Sequence, residues 1–196
     1  MSQLIKFGLI LGVICLAATL VLAVTYEITK PKIEEQLKME EQNALKSIMP
    51  SADSFSEKAR DGIEYFEALK GKTVVGYCVR VVGSGYNGYI RMIAGVDLNG
   101  VIQGVAVLEH SETPGLGAKI SEIRPGESEP WFLKQFKGKN ARAIAVKKDI
   151  DGSTMLTIAP GLSRGVDAIT GATISSRAVT DAIRKIVDDL WSKLKK

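Results

Sequence analysis

At 196 residues the chain has room for one membrane segment and one domain of ordinary size. Its net charge of +4 arises from 26 basic against 22 acidic residues interspersed along most of the sequence, and no basic block is interleaved with aromatics, which argues against nucleic acid as a partner. Cys15 falls in an apolar run and Cys78 in a strand-like segment, so neither a disulfide between them nor a metal site is expected.

Phe7 to Val24 is an unbroken run of apolar and small residues with Lys6 before it and Glu27 and Lys30 after it. About 18 to 20 such residues cross the hydrocarbon core as a helix, so membrane lipid is an expected partner of this segment. The few charges on its short N-terminal side favour that side inside and the bulk of the chain outside. A cleaved signal peptide ending near Val21-Leu22-Ala23 is the competing reading, but the run is long for one and no polar segment precedes Ala23. Lys30 to Met49 reads as a charged stalk helix with a narrow apolar seam of Ile33, Leu37, Ala44, Leu45 and Ile48, stopped by Pro50 and Ser51.

From Glu64 the period becomes extended. Thr73 to Val82 and Tyr89 to Val96 are rich in β-branched and aromatic residues, and Asn99-Gly100 is a strong hairpin signal leading into a returning strand from Val101 to Leu108. These segments predict an antiparallel meander. Gly83-Ser84-Gly85-Tyr86-Asn87-Gly88 satisfies G-x-G-x-x-G, but a strand follows it where a dinucleotide site needs a helix, so it reads as a turn.

In the loop from Glu109 to Lys119, Pro114 restricts the backbone while Gly115 and Gly117 free it. It is either a plain surface turn or a place where backbone N–H groups approach a flat or anionic ligand. His110, the sole histidine, reads as structural. Trp131 to Lys139 predicts a short helix ended by Gly138, and Ala141 to Val146 a strand.

The C-terminal part carries Asp167-Ala168-Ile169-Thr170-Gly171-Ala172-Thr173-Ile174-Ser175-Ser176 and then an amphipathic helix. Val179, Ile183, Ile186, Val187, Leu190 and Leu194 form its apolar stripe; Ser175 and Ser176 are expected to cap its start, and Lys193, Lys195 and Lys196 suit its end. Physically the hydroxyl cluster is either a helix cap or a phosphate site, because unpaired N–H groups point outward there.

Asp167-x-x-Thr170-Gly171-Ala172-Thr173 followed by Ser175 resembles the flavinylation motif of the FMN-binding domain, found in the G subunit of Rnf electron-transport complexes and the C subunit of the Na⁺-pumping quinone reductase. Glu112-Thr113-Pro114-Gly115-Leu116-Gly117 is similar to a second loop of that family, and Tyr86-Asn87 with its flanking glycines to a third. The resemblance implies FMN held through a phosphoester to Thr173. It places Asp167, Thr170, Gly171, Ala172, Ser175, Tyr86, Asn87 and the loop from Glu112 to Gly117 around the cofactor.

The implied fold is α+β: a transmembrane helix, a stalk helix, and one FMN-binding domain with an antiparallel sheet flanked by helices. The expected domains are an anchor at 1–27, a stalk or linker at 28–60 and the FMN-binding domain at 61–196. Implied partners are the other Rnf membrane subunits and a flavin transferase. The implied location is the inner or plasma membrane, with the soluble domain outside.

No carboxylate pair, Ser-His-Asp arrangement or metal-ligand cluster suggests catalysis by side chains alone. Two readings follow. One is an electron-transfer subunit of a ferredoxin:NAD oxidoreductase complex coupled to ion movement. The other is a membrane-tethered, non-redox scaffold in which Thr173 belongs only to a helix cap. A flavin or quinone reductase acting alone would need a nicotinamide site that nothing here resembles.

Overall fold

The computed structural model describes residues 2–147 and 165–194. Two units separate by their internal contacts, Met1–Gln42 and Asn43–Lys196. The expected strands from Thr73 onward are present, and α+β is the observed class: one long N-terminal helix, a five-stranded antiparallel sheet and a C-terminal helix.

Helix α1 runs from Ser2 to Ile48 without a break, where the sequence suggested two helices. Pro31 lies inside it and removes one N–H from the ladder, yet the helix continues. Among the described residues this is the one helix long and apolar enough to cross a membrane by length and composition, with a window of mean hydropathy 2.8.

Within the second unit, strands β1 (Ser54–Arg60), β2 (Ile63–Lys70), β3 (Thr73–Ser84), β4 (Tyr89–Asp97) and β5 (Ile102–His110) pair in sequence order, all antiparallel. Extended structure therefore begins at Ser54, earlier than the sequence suggested. Strand β1 is an edge strand that is mostly exposed and polar, so it lacks the apolar alternation that marks a half-buried strand. The hairpin at Asn99-Gly100 is present: Asp97 Oδ1 accepts the N–H groups of Asn99 (2.8 Å) and Val101 (2.9 Å), and Gly100 takes φ +80°.

Both faces of the sheet are covered near its middle, which is why β4 reads as a nearly continuous apolar run. On one face lie Phe66, Ala68, Cys78 and Ile93, against Leu45 and Ile48 from the end of α1 and Met49 just after it. Burying each such aliphatic side chain stabilises by about 1.5–3 kcal/mol. The approach is close because β5 carries Gly104 there: a Cβ on it would lie 3.2 Å from Ile48 Cα and 3.3 Å from Ile48 O. Burial pushes the Cys78 thiol up to about 12, which leaves almost no thiolate near neutral pH. In a Cys15→Ser background, a maleimide at pH 8 is expected to modify Cys78 only after denaturation; rapid labelling of the folded chain would contradict this packing.

The other face packs Val79, Val81, Met92, Ala94 and Val96 against helix α3 (Thr173–Leu194), through Val179, Ile183, Val187 and Leu190. The stripe expected from the sequence is the buried one. Gly83 lets the α3 backbone cross β3 closely, since a Cβ there would sit 2.7 Å from the Ala178 carbonyl oxygen. At the far end Tyr77 meets Trp191 edge to face, with ring centroids 5.8 Å apart.

Three local expectations need correction. The strand at Ala141 to Val146 is instead a 3₁₀ turn at Ala141–Ala143, because the Asn140 side chain accepts the Arg142 N–H at 3.0 Å and curls the chain; Val146 makes only an isolated bridge to Val166. The helix expected from Trp131 is the single turn α2 (Trp131–Lys134), followed by further turns to Gly138 at φ +77°. Helix α3 starts at Thr173, so Ser175 and Ser176 lie inside its first turns and do not cap it. Their hydroxyls are engaged in tertiary and local bonds, described below. Of the lysines expected at its end, Lys193 is in α3 and residues 195 and 196 lie outside the described residues.

Candidate functional site

The start of α3, the β3–β4 turn and the loop after β5 meet around a cleft of about 450 Å³. Tyr86, Glu112, Thr113, Leu116, Gly117, Gly171, Ala172, Thr173, Ile174 and Ser175 line it. Small-molecule sites commonly span about 300–1,000 Å³, so this cleft is of ligand size. Its rim is apolar and open: Tyr86 is 73% exposed, Ile174 50% and Leu116 46%.

Gly171 turns the chain into α3 at φ +81°, a conformation that glycine adopts without strain. The Ser176 N–H reaches back to the Ala172 carbonyl at 3.0 Å, closing the first helical turn. The N–H groups of Thr173, Ile174 and Ser175 precede that bond and have no carbonyl one turn back, so they form the positive end of the helix beside the cleft.

The hydroxyls of the motif do different work. Ser175 Oγ donates to Glu112 Oε2 at 2.7 Å. Ser176 Oγ donates to the Ala172 carbonyl at 2.9 Å and accepts the Ile169 N–H at 3.0 Å. Thr170 is exposed and lies outside the cleft lining. Thr173 is half-buried and lines the cleft, and among the described residues its hydroxyl has no hydrogen-bond partner. Of the four, Thr173 alone both lines the cleft and has a hydroxyl without a partner among the described residues.

Glu112 ties the site together. Its Oε1 accepts the Asn87 N–H at 3.2 Å, while Oε2 takes the Ser175 hydroxyl. Asn87 also donates from Nδ2 to the Ser111 carbonyl at 2.7 Å. The carboxylate fits only because Gly85 and Gly117 leave it space, since a Cβ on either would run into its oxygens. Gly117→Val is expected to destabilise the fold by about 1–3 kcal/mol through this clash. Thermal unfolding checks it, and an unchanged midpoint would contradict the packing.

His110 supports the same loop. Its Nδ1 accepts the Glu112 N–H at 3.3 Å, which leaves Nε2–H to donate to Ser121 Oγ at 2.9 Å, and Ser121 donates to the Ala118 carbonyl at 3.1 Å. That chain of bonds makes His110 a structural residue.

Not every residue that the motifs single out lines the cleft. Asp167 is exposed and pairs with Lys147 at 2.8 Å, while its backbone is held by Gln135, whose Oε1 accepts the Asp167 N–H at 2.8 Å. Asn87 reaches the cleft only through Glu112, and Pro114 and Gly115 stand exposed outside the lining. Ile174 and Gly85 are additions. Ile174 is an apolar residue at the helix start that lies off the core stripe, a pattern visible in the sequence. Gly85 acts by lacking a side chain opposite Glu112, and no sequence signal announces that contact.

A model of the FMN-binding domain matches residues 85–188, and one of the RnfG N-terminal region matches residues 1–48. The G subunit of the proton-translocating ferredoxin:NAD(+) oxidoreductase complex of Clostridium ljungdahlii is 29% identical, with 92% of this chain and 88% of that protein covered. Its counterpart in the Na(+)-translocating complex of Acetobacterium woodii is 32% identical, with 91% and 87% covered. The G subunit of the ion-translocating oxidoreductase complex of Methanosarcina acetivorans is 34% identical, with 95% and 94% covered. Among solved structures, the C subunit of Na(+)-translocating NADH-quinone reductase from Parabacteroides distasonis superposes with a TM-score of 0.50 at 26% identity. That match covers 68% of this chain and 63% of the other, a little under two thirds of its length. The domain match takes in the β3–β4 turn, the Glu112 loop and the start of α3 together, and the chain belongs to the FMN-binding domain family, among the G subunits of ion-translocating oxidoreductase complexes.

Proposed function

We propose that the protein is an electron-transfer subunit of a membrane-bound Rnf-type ferredoxin:NAD oxidoreductase complex that couples electron flow to ion translocation, and that it carries FMN as a phosphoester on Thr173. The observation that carries the reading is the free Thr173 hydroxyl on the wall of a ligand-sized cleft at a helix N-terminus. Ser175 and Ser176, the neighbouring hydroxyls in α3, are already engaged.

Thr173 Oγ1 would hold FMN as a phosphoester formed from FAD with AMP leaving, and the first N–H groups of α3 would complement the charge of that phosphate. Gly171 and Ala172 leave the approach open, while Tyr86, Leu116 and Ile174 offer apolar surface to a flat ring. FMN, when bound, supplies the electron transfer, and the protein supplies position and field. A covalent bond prevents loss of the cofactor by dilution outside the cytoplasm.

In this reading the N-terminal apolar segment anchors the chain in lipid of the inner or plasma membrane, and the unit that holds the sheet and α3 carries the flavin on the outer side. Partners are the other membrane subunits of the complex and the transferase. Expression with and without a flavin transferase, followed by denaturing electrophoresis and ultraviolet illumination, tests it. Transferase-dependent fluorescence in the protein band is expected. A dark band, with the transferase active on a known acceptor, would overturn the phosphoester on Thr173.

A further inference from the structure

Glu112 is the only charged side chain among the described residues that is buried, at 5% exposure. Both its oxygens accept hydrogen bonds, from the Asn87 N–H and the Ser175 hydroxyl, and no cation pairs with it among the described residues. Burying an unpaired carboxylate is costly, and joining the same two elements does not require a charge, since a neutral amide has the same reach. The fold nevertheless gives up side chains at Gly85 and Gly117 to house it in the wall of the cleft.

We infer that Glu112 sets the electrostatic field of the cleft: its negative charge opposes added negative charge on a ring bound there and holds the flavin at a lower midpoint potential than a neutral residue would. The inference rests on the reading that FMN occupies this cleft. With an effective dielectric constant near 20, a unit charge at the wall acts strongly on a neighbouring ring, whereas in water it would be largely screened.

The test uses the full chain in detergent, flavinylated by the transferase and checked for loading by intact mass before a spectroelectrochemical titration. Glu112→Gln keeps the size and removes the charge. It is expected to shift the reduction equilibrium at least tenfold toward the reduced flavin, about 30 mV for a two-electron couple. Glu109→Gln removes an exposed carboxylate outside the cleft, so no such rise is expected. A loaded Glu112→Gln variant that titrates with the wild type overturns the inference, and so does an equal rise in Glu109→Gln, which would trace the effect to net charge at a distance.

Should Glu112→Gln fail to load, Glu112→Ala is loaded and titrated in its place, with the same rise expected and a wild-type midpoint overturning the inference. A wild-type chain that takes up no FMN would instead sink the flavin reading and this inference with it.

Discussion

With Thr173 replaced by alanine, the chain made alongside a flavin transferase is expected to carry no covalent flavin, a complete loss by intact mass. Ser175 cannot substitute without breaking its bond to the buried Glu112, and Ser176 is fully buried between Ile169 and Ala172. Thr170 is accessible, but it stands outside the cleft and off the helix N-terminus. The fold itself should hardly notice the change. The Thr173 hydroxyl has no hydrogen bond to lose among the described residues, so stability is expected to move by no more than about 0.5 kcal/mol. Thr173→Ser, which keeps a hydroxyl at the same place, is expected to retain flavin. A Thr173→Ala chain with normal flavin content would remove Thr173 from the attachment chemistry.

Phe132→Ala is expected to cost about 3–5 kcal/mol of stability, a large share of the roughly 5–15 kcal/mol that holds a domain together. Helix α2 is one turn long, and Pro130, its N-cap residue, makes no side-chain capping bond. A turn that short has no stability of its own. It is held by the core: Phe132 is fully buried and meets Trp131 and Phe136 edge to face, with centroids 6.0 and 5.5 Å away. Across from α2 lies the 3₁₀ turn Gly117–Ser121, whose first residue is in the cleft wall. Loosening α2 should therefore also lower flavin loading. Urea unfolding in detergent measures the first effect, and a loss below about 1 kcal/mol would contradict the packing described.

The meander was readable because its strands differ from the helices in period and in β-branched content, and because Asn99-Gly100 marks a turn that few other dipeptides favour. The α3 stripe was readable for the same reason. Strand β1 escaped because edge position and exposure let Ser54 to Arg60 carry a polar pattern that resembles a linker. The strand expected at Ala141 failed because the Asn140 side chain outcompetes extended backbone there.

At the site the motifs named most of the cleft wall, and Thr173 among it. What they could not distinguish is which hydroxyl is free. That depends on Glu112 capturing Ser175 from a loop remote in sequence, and on Gly85 and Gly117 making room for the carboxylate. Spacing along a chain carries no record of such contacts. Asp167 shows the reverse case, a motif residue whose side chain turns out to be on the surface beside Lys147.

The most direct measurement is fragment-ion sequencing of the tryptic peptide from Gly165 to Arg177, taken from protein made with the transferase. This peptide contains Thr170, Thr173, Ser175 and Ser176, so it holds every competing hydroxyl of the motif. The expected result is a riboflavin-phosphate mass that appears only in fragments including Thr173. The same mass on Thr170, Ser175 or Ser176, or an unmodified peptide from a chain that fluoresces, would contradict the assignment of Thr173 as the anchor.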